Sequence, residues 1–364
     1  MKRNSGTHRP SSSGSRANGA RGTNGNGHSN GSNGARHTAV SAAAKRHGVR
    51  TPCAPAPRAP VDASTLDLPA FLLNVPFSYA ADLANNVWMQ ELPDSERRVD
   101  VRRAIRQFMD LYNTMASEAV VYLLPAPPRC GLQDLVFTAN LGIALDHLPD
   151  RKPVVLSNFT APGRAGEAAV GRRFFEAAGV ELHVAPARFE GEADLKHLHD
   201  DVYVGGYGIR STAEAYRWME REFDMRVVML EETDTYLYHL DCSVFPITAQ
   251  DTLVCTELYG RSELARLAKH TNIVPVTADE CYGGVCNSVR LHNTILNASN
   301  IHELKAGTED YRMERVKNRK LEDVAIERGF EVMYVNLSEF HKGGALLSCL
   351  VMHLNRHSYA TRLL

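Results

Sequence analysis

The sequence predicts an α/β domain assembled from one small unit of paired strands, a helix and a further strand, repeated about a pseudo-symmetry axis and preceded by a long polar tail. Three observations lead there. From about residue 64 onward, short β-rich runs alternate with amphipathic helical segments, the pattern of α/β architecture. The same small unit returns several times, and repetition of that kind indicates modules arranged round an axis. The first fifty residues hold mainly Ser, Gly, Asn, Arg and Ala and no acidic residue, so they cannot bury enough apolar surface to offset the entropy of ordering.

The expectation is therefore a disordered basic tail and linker over residues 1–62 and a folded domain over residues 63–364. The tail carries Lys2, Arg3, Arg9, Arg16, Arg21, Arg36, Lys45, Arg46 and Arg50, and "TPCAPAPRAPV" (Thr51 to Val61) is a stiff proline-rich linker. The charge admits weak contact with RNA or a membrane surface; a solvated tail is the simpler reading. Its Gly and Asn content argues against the amphipathic helix of an organelle transit segment.

Inside the domain, "VVLSNF" (Val154 to Phe159) is a strand, and residues 163–179 are a helix ended by Gly179. "VELHVA" is again a strand. "DVYVGGYGI" leads into a helix whose start carries Ser211 and Glu214, spaced as a capping box. Ala215, Tyr216, Met219 and Phe223 mark that helix's buried face. "RVVML", "YLYHLDCSVFPI" and "TLVCTE" read as strands, then the helix "RSELARLAKH", then "IVPVTA". "SVRLHNTILN", a helix from about Tyr311 to Gly329 and the strand "FEVMYVNL" follow. In "HKGGALLSCLVMHLNR" (His341 to Arg356), Gly343 and Gly344 loosen the chain ahead of a buried strand that contains Cys349. The glycines of "GGYGIR" lack the order G-x-G-x-x-G, so a dinucleotide-binding turn is not supported.

Composition narrows the function classes. The 364 residues suffice for a sizeable core, and the formal net charge of −1 argues against bulk electrostatic binding of nucleic acid by the folded part. No apolar run is long enough to span a bilayer. The seven cysteines, at 53, 130, 242, 255, 281, 286 and 349, are odd in number and include no C-x-x-C pair; Cys281 and Cys286 lack the second pair that a zinc site needs. With no apolar signal segment, the expectation is a reduced cytoplasmic protein with free thiols. The sequons at Asn158 and Asn297 are then silent.

Four polar clusters sit where strands meet loops. "QDLVFTAN" supplies Asp134 and Asn140, and "RFEGEAD" supplies Glu190, Glu192 and Asp194. "YHLDCSVF" supplies His239 and Asp241, and "GGALLSC" supplies Cys349. His239 and Asp241, two apart, fall on one face of a strand, and a carboxylate beside an imidazole orients the ring for acid/base work. A cysteine after a Gly-rich approach, with a histidine available, suits a thiolate nucleophile, though a buried free cysteine is commonly inert core. Carboxylates bordering apolar strands suit a guanidinium, which is planar, permanently charged and rich in N–H donors.

Taken in order, "DLVFTAN", "FEGEADL", "GGYGIRS", "HLDCSVF" and "GGALLSC" resemble the guanidine-modifying, or pentein, superfamily, most closely its amidinotransferase-like branch around dimethylarginine dimethylaminohydrolase and the arginine dihydrolases. The resemblance covers about residues 70 to 356. It implies a five-bladed α/β propeller with its active site in the central channel, no metal and no organic cofactor. It further implies Cys349 as the nucleophile that forms a covalent thiouronium, and His239 as the acid that protonates the departing amine and then activates water. Glu190 would bind guanidinium nitrogens and support His239, Asp241 would orient His239 or touch substrate, and Asp134 would hold the substrate's α-amino group. Arg210, or the weaker candidate Arg164, would pair with the α-carboxylate, and Asn86 loosely matches an asparagine near the guanidinium.

Two departures stand out. The acidic motif reads "EGEAD" where the family often has E-G-G-D, leaving Glu190 and Glu192 as rivals; Glu190 is preferred, with Asp194 structural. Asn140 stands where deiminases and methylarginine hydrolases commonly carry aspartate, and in the dihydrolase branch that asparagine accompanies conversion of arginine to ornithine. The expected function is hydrolysis of arginine or a methylarginine to citrulline or ornithine. The alternatives are an amidinotransferase that passes the amidino group to an amine and a non-catalytic arginine-binding protein. The expected partner is a small guanidino substrate, with no membrane; the sequence leaves a homo-oligomer open.

Overall fold

In the computed structural model, which describes residues 67–126 and 130–360, one connection pattern is used five times. A short strand runs antiparallel to the next, and a helix then carries the chain to a third strand, parallel to the second. The pattern follows from strand physics: antiparallel neighbours need only a turn, whereas parallel neighbours need a crossover. β3 (Gly142–Ala144), β4 (Val154–Leu156) and β5 (Leu182–Val184) form one such sheet around the helix Ala165–Ala177. β6 (Leu195–His199), β7 (Val202–Tyr207) and β8 (Arg226–Glu231) form the next around the helix Ala213–Glu222. β9 (Val244–Pro246), β10 (Asp251–Cys255) and β11 (Asn272–Val276) follow with the helix Arg261–Leu267. β12 (Val289–Leu291), β13 (Thr294–Ala298) and β14 (Glu331–Val335) use the helix Glu309–Ile326.

The fifth sheet joins the two ends of the domain. β1 (Ala70–Leu73) runs parallel to β2 (Val120–Leu123) across the helix Val101–Ala116, and its antiparallel partner is β15 (Met352–His353), with Leu72 opposite Met352. The helix buries Ala104, Phe108, Leu111 and Met115, a spacing of three or four residues that keeps one stripe inward. Asp100 caps it by accepting from the Arg103 amide at 3.1 Å.

Four of the five sheets are entered through a single 3₁₀ turn: Thr138–Leu141 before β3, Gly191–Ala193 before β6, Leu240–Cys242 before β9 and Ser348–Leu350 before β15. These turns pack on one another, the first against the second and fourth and the second against the third. Thr138 Oγ1 lies 2.8 Å from the Leu72 carbonyl and 2.7 Å from the Leu350 carbonyl, so its one proton is shared between two blades. Gly191 has φ +70°, and a Cβ there would meet the Ala139 carbonyl oxygen at 2.4 Å, so only glycine permits this contact between turns.

The α/β repeat, the helix positions and the buried face of Ala215, Tyr216, Met219 and Phe223 agree with the sequence reading. Three expectations need correction. Cys349 lies in a 3₁₀ turn, and the strand after it is only two residues long. His239 and Asp241 lie at a 3₁₀ turn as well, so the two-residue strand alternation does not apply to them. Ser211 does not cap the helix, whose N-cap is Thr212; its hydroxyl instead donates to Asp194 Oδ2 at 2.5 Å and accepts from the Glu190 amide at 3.0 Å. The tail, the linker and the boundary expected at 62/63 lie outside the described residues. Among the described residues, no helix is long and apolar enough to cross a membrane.

Met352 is fully buried in the closing strand. Met352→Ala is expected to cost about 2–5 kcal/mol, read from urea unfolding; a cost below about 1 kcal/mol would show that this closure contributes little to stability.

Candidate active site

The turns deliver their polar residues to one narrow pocket. Asn85, Asn86, Asp134, Phe137, Asn140, Arg164, Arg210, Tyr238, His239, Gly343, Ala345 and Cys349 line it. Of the nine sequence candidates, seven line the pocket; Glu190 and Asp241 stand immediately behind, each bonded to or in contact with a lining residue.

Glu190 organises the histidine side. It has no exposed surface, and its Oε2 lies 2.9 Å from His239 Nε2 and 3.6 Å from Arg210 Nη1. Oε1 accepts from the Thr160 amide at 3.0 Å. Burial would raise its pKa, but His239, then Arg210 and Arg164, hold the carboxyl well below the usual carboxylate range. Asn140 Nδ2 is 3.4 Å from His239 Nε2. His239 thus takes its carboxylate partner from Glu190 rather than from Asp241.

Within "EGEAD" it is Glu190, not Glu192, whose carboxylate lies beside His239. Gly191 in its left-handed conformation separates the directions of its neighbours, and Glu192 turns away to His353, with Oε1 2.6 Å from Nδ1 and Oε2 accepting the His353 amide at 2.8 Å. Asp194 is buried, accepting from Ser211 Oγ and from the Leu240 amide at 3.3 Å. Burial and the neighbouring Glu190 push its pKa up to about 7. Its bonds tie the turn that carries Glu190 to the turn that carries His239.

On the sulfur side, Cys349 is 6% exposed. Its Sγ lies 3.6 Å from Asp241 Oδ2, and Asn287 Nδ2 donates to it at 3.4 Å. The Ser348 hydroxyl donates to the same Asp241 oxygen at 2.6 Å. Burial, with Asp241 adding to it, pushes the thiol up to about 12, so the resting sulfur is protonated. A guanidinium entering this pocket would bring the missing cation and favour the thiolate.

The remaining candidates shape the entrance. Asp134 is buried and accepts from the Asn85 side-chain amide; burial raises its pKa against the pull of Arg164. Arg210 donates to the Asn85 carbonyl at 2.9 Å, and its guanidinium lies 4.8 Å from the centre of the Tyr238 ring. Arg164 is buried and held by Glu167 through Nε at 2.9 Å and Nη2 at 2.7 Å, a fork already engaged within the protein. The amide of Asn86 donates to the Gly343 carbonyl at 3.0 Å, and Tyr238 donates to the Gly344 carbonyl at 3.1 Å. The glycine pair is therefore pinned rather than loose. Gly344 has φ +78°, and a Cβ on it would come within 3.0 Å of the Asn86 amide.

Asn85, Tyr238 and Asn287 escaped the sequence reading. Asn85 adjoins a candidate, Tyr238 adjoins His239, and Asn287 is a polar residue inside "GVCNSVRL", ahead of a buried strand. Among the described residues, no group of three or more His, Cys, Asp or Glu side chains could hold a metal ion.

The five-module ring and this pocket define a guanidine-modifying, pentein-type protein. The family model for "N,N dimethylarginine dimethylhydrolase, eukaryotic" matches residues 76–356, and the chain belongs to that family. The bifunctional arginine dihydrolase/ornithine cyclodeaminase AgrE of Nostoc is 28% identical over 292 residues, covering 78% of this chain and 37% of the relative; the chain thus spans little more than a third of that protein. The N(G),N(G)-dimethylarginine dimethylaminohydrolase of Mycobacterium tuberculosis is 25% identical over 288 residues, 78% of this chain and 85% of the relative. Among solved structures, the N-terminal domain of ArgZ from Synechocystis, an arginine dihydrolase, superposes with TM-score 0.67 at 26% identity over 79% of this chain. The match spans 98% of the substrate-bound form of that domain and 97% of a form covalently bonded to a reaction intermediate, but 41% of full-length ArgZ.

The Glu190 anion yields a signed pH dependence. Its folded pKa is depressed, so its stabilisation is complete above the unfolded carboxylate value of about 4.3 and is lost as pH falls below it. Glu190→Gln is expected to cost about 3–5 kcal/mol at pH 7 and to flatten the acid-side fall in urea midpoint between pH 5 and 3. Equal acid-side slopes in the two proteins would contradict this assignment.

Proposed function

We propose that the chain is a cysteine-dependent hydrolase of the guanidino group of arginine or a close derivative such as a methylarginine. One observation carries the reading: Cys349, His239 and a set of acids meet at a single pocket lined also by Arg210. The family and its relatives support it.

The substrate's guanidinium sits between Glu190, Asp241 and Cys349, while Asp134 takes the α-amino group and Arg210 the α-carboxylate. The Cys349 proton passes to Asp241, 3.6 Å away, and the sulfur attacks the guanidinium carbon. His239, oriented by Glu190, protonates the departing nitrogen, which leaves as ammonia or a methylamine, and a thiouronium remains on Cys349. His239 then takes a proton from water, the hydroxyl adds to the same carbon, and the thiolate departs, giving citrulline. With Asn140 as a neutral ligand in place of a carboxylate, the ureido group is held for a second hydrolysis: citrulline and water give ornithine, ammonia and carbon dioxide. Arg164, already engaged by Glu167, serves as a structural neighbour, and Asn86 holds the loop before Cys349. The reaction needs no metal or organic cofactor, because sulfur carries the covalent step. We place it in the cytoplasm, in keeping with free thiols at Cys130, Cys242, Cys255, Cys281, Cys286 and Cys349.

Incubation with arginine, methylarginines and agmatine, with and without glycine, is expected to yield citrulline or ornithine with ammonia or a methylamine, identified by mass. Guanidinoacetate formed in the glycine arm would establish the transferase instead, and binding without any product would leave a receptor. Cys349→Ser should abolish turnover with the fold retained, and His239→Ala should lower it by about two to four orders of magnitude.

A further inference from the structure

The propeller has five entrances, and the sequence reading assigned chemistry to four of them. Asn140 comes from the turn before β3, Glu190 from that before β6, His239 and Asp241 from that before β9, and Cys349 from that before β15. The equivalent place before β12 holds Asn287, two residues ahead of the strand, just as Asn140 stands two residues ahead of β3. We propose that Asn287 is a catalytic residue that stabilises the Cys349 thiolate through its side-chain N–H. The proposal rests on Cys349 being the nucleophile.

The amide's orientation is fixed by its surroundings. Asn287 Oδ1 accepts the Ser348 backbone N–H at 2.8 Å. A backbone N–H can only donate, so the oxygen must face Ser348, which leaves Nδ2, 3.4 Å from Sγ, as the group directed at the sulfur. The side chain is 2% exposed, so water does not compete for these bonds. The bend that carries Asn287 is itself held: its amide donates to the Gly284 carbonyl at 3.1 Å, and its carbonyl accepts from Asn297 Nδ2 at 3.4 Å.

The sulfur therefore has an acceptor on one side and a donor on the other. As a thiol it donates to Asp241 Oδ2. As a thiolate it accepts from Asn287, whose N–H offsets part of the repulsion from Asp241. The donor is neutral, so it favours the anion without occupying the place of the substrate's cation. The same N–H would serve the sulfur again when it leaves the thiouronium as a thiolate.

The test reads the thiol directly and needs no substrate. In the full chain, alkylation of Cys349 by iodoacetamide is followed by peptide mass spectrometry across pH 7–11. Asn287→Asp is nearly isosteric and keeps an oxygen for the Ser348 amide, but replaces the donor facing sulfur. It and Asn287→Ala are expected to slow Cys349 alkylation about tenfold or more at a given pH, moving its pH profile upward by about one unit. With arginine or whichever substrate turns over, kcat should fall about ten- to a hundredfold while KM stays within about threefold. A folded Asn287→Asp protein that alkylates at the wild-type rate overturns the proposal. Failure of both variants to fold also overturns it, by giving Asn287 a structural role. If no guanidino compound turns over in the wild type, the hydrolase reading fails, and the alkylation profiles still decide whether Asn287 stabilises the sulfur anion.

Discussion

An anion with no exposed surface sets the terms for the histidine half of this pocket. Glu190 remains ionised only because His239 and Arg210 approach the same carboxylate oxygen and a backbone amide donates to the other. Desolvation acts against the charge, and this convergence outweighs it. The dependence is mutual, since the carboxylate fixes the imidazole's direction and keeps Arg210 inside the pocket. Asp194 extends the constraint into the backbone by bonding the turns that carry Glu190 and His239. An uncharged group at Glu190 would leave Arg210 and His239 with less reason to face each other across the cavity.

The sulfur half works on the opposite principle. The neutral Asn287 donor does not outweigh burial at Cys349, and Asp241 makes ionisation harder. A thiol kept protonated at rest resists adventitious alkylation and oxidation, both of which require thiolate. In the proposed reaction the arriving guanidinium supplies the cation that ionises this sulfur, so substrate and trigger are the same group.

Much of this was legible in the sequence, for identifiable reasons. The helix face of Ala215, Tyr216, Met219 and Phe223 could be read because burial there follows helical periodicity. Cys349, His239 and Glu190 could be nominated because their motifs occur in a characteristic order. The partnership of His239 could not be read, because strand alternation pairs it with Asp241, whereas the 3₁₀ turn sends those two side chains to different neighbours. Glu190 could not be separated from Glu192 without the backbone of Gly191, whose positive φ decides which carboxylate faces inward. Asn287 was invisible because it is an uncharged residue in an apolar run and its target lies 62 positions away.

The pairing of β1 with β15 has a topological consequence. Because these strands are antiparallel, with Phe71 opposite His353, the chain enters one and leaves the other at the same end of a single sheet. The order of modules along the polypeptide is thus a cut made in a closed circle. A circular permutant that bridged this junction and opened the loop between two other blades would keep every neighbour relation around the pocket, while moving Cys349 from the final module toward the middle of the chain.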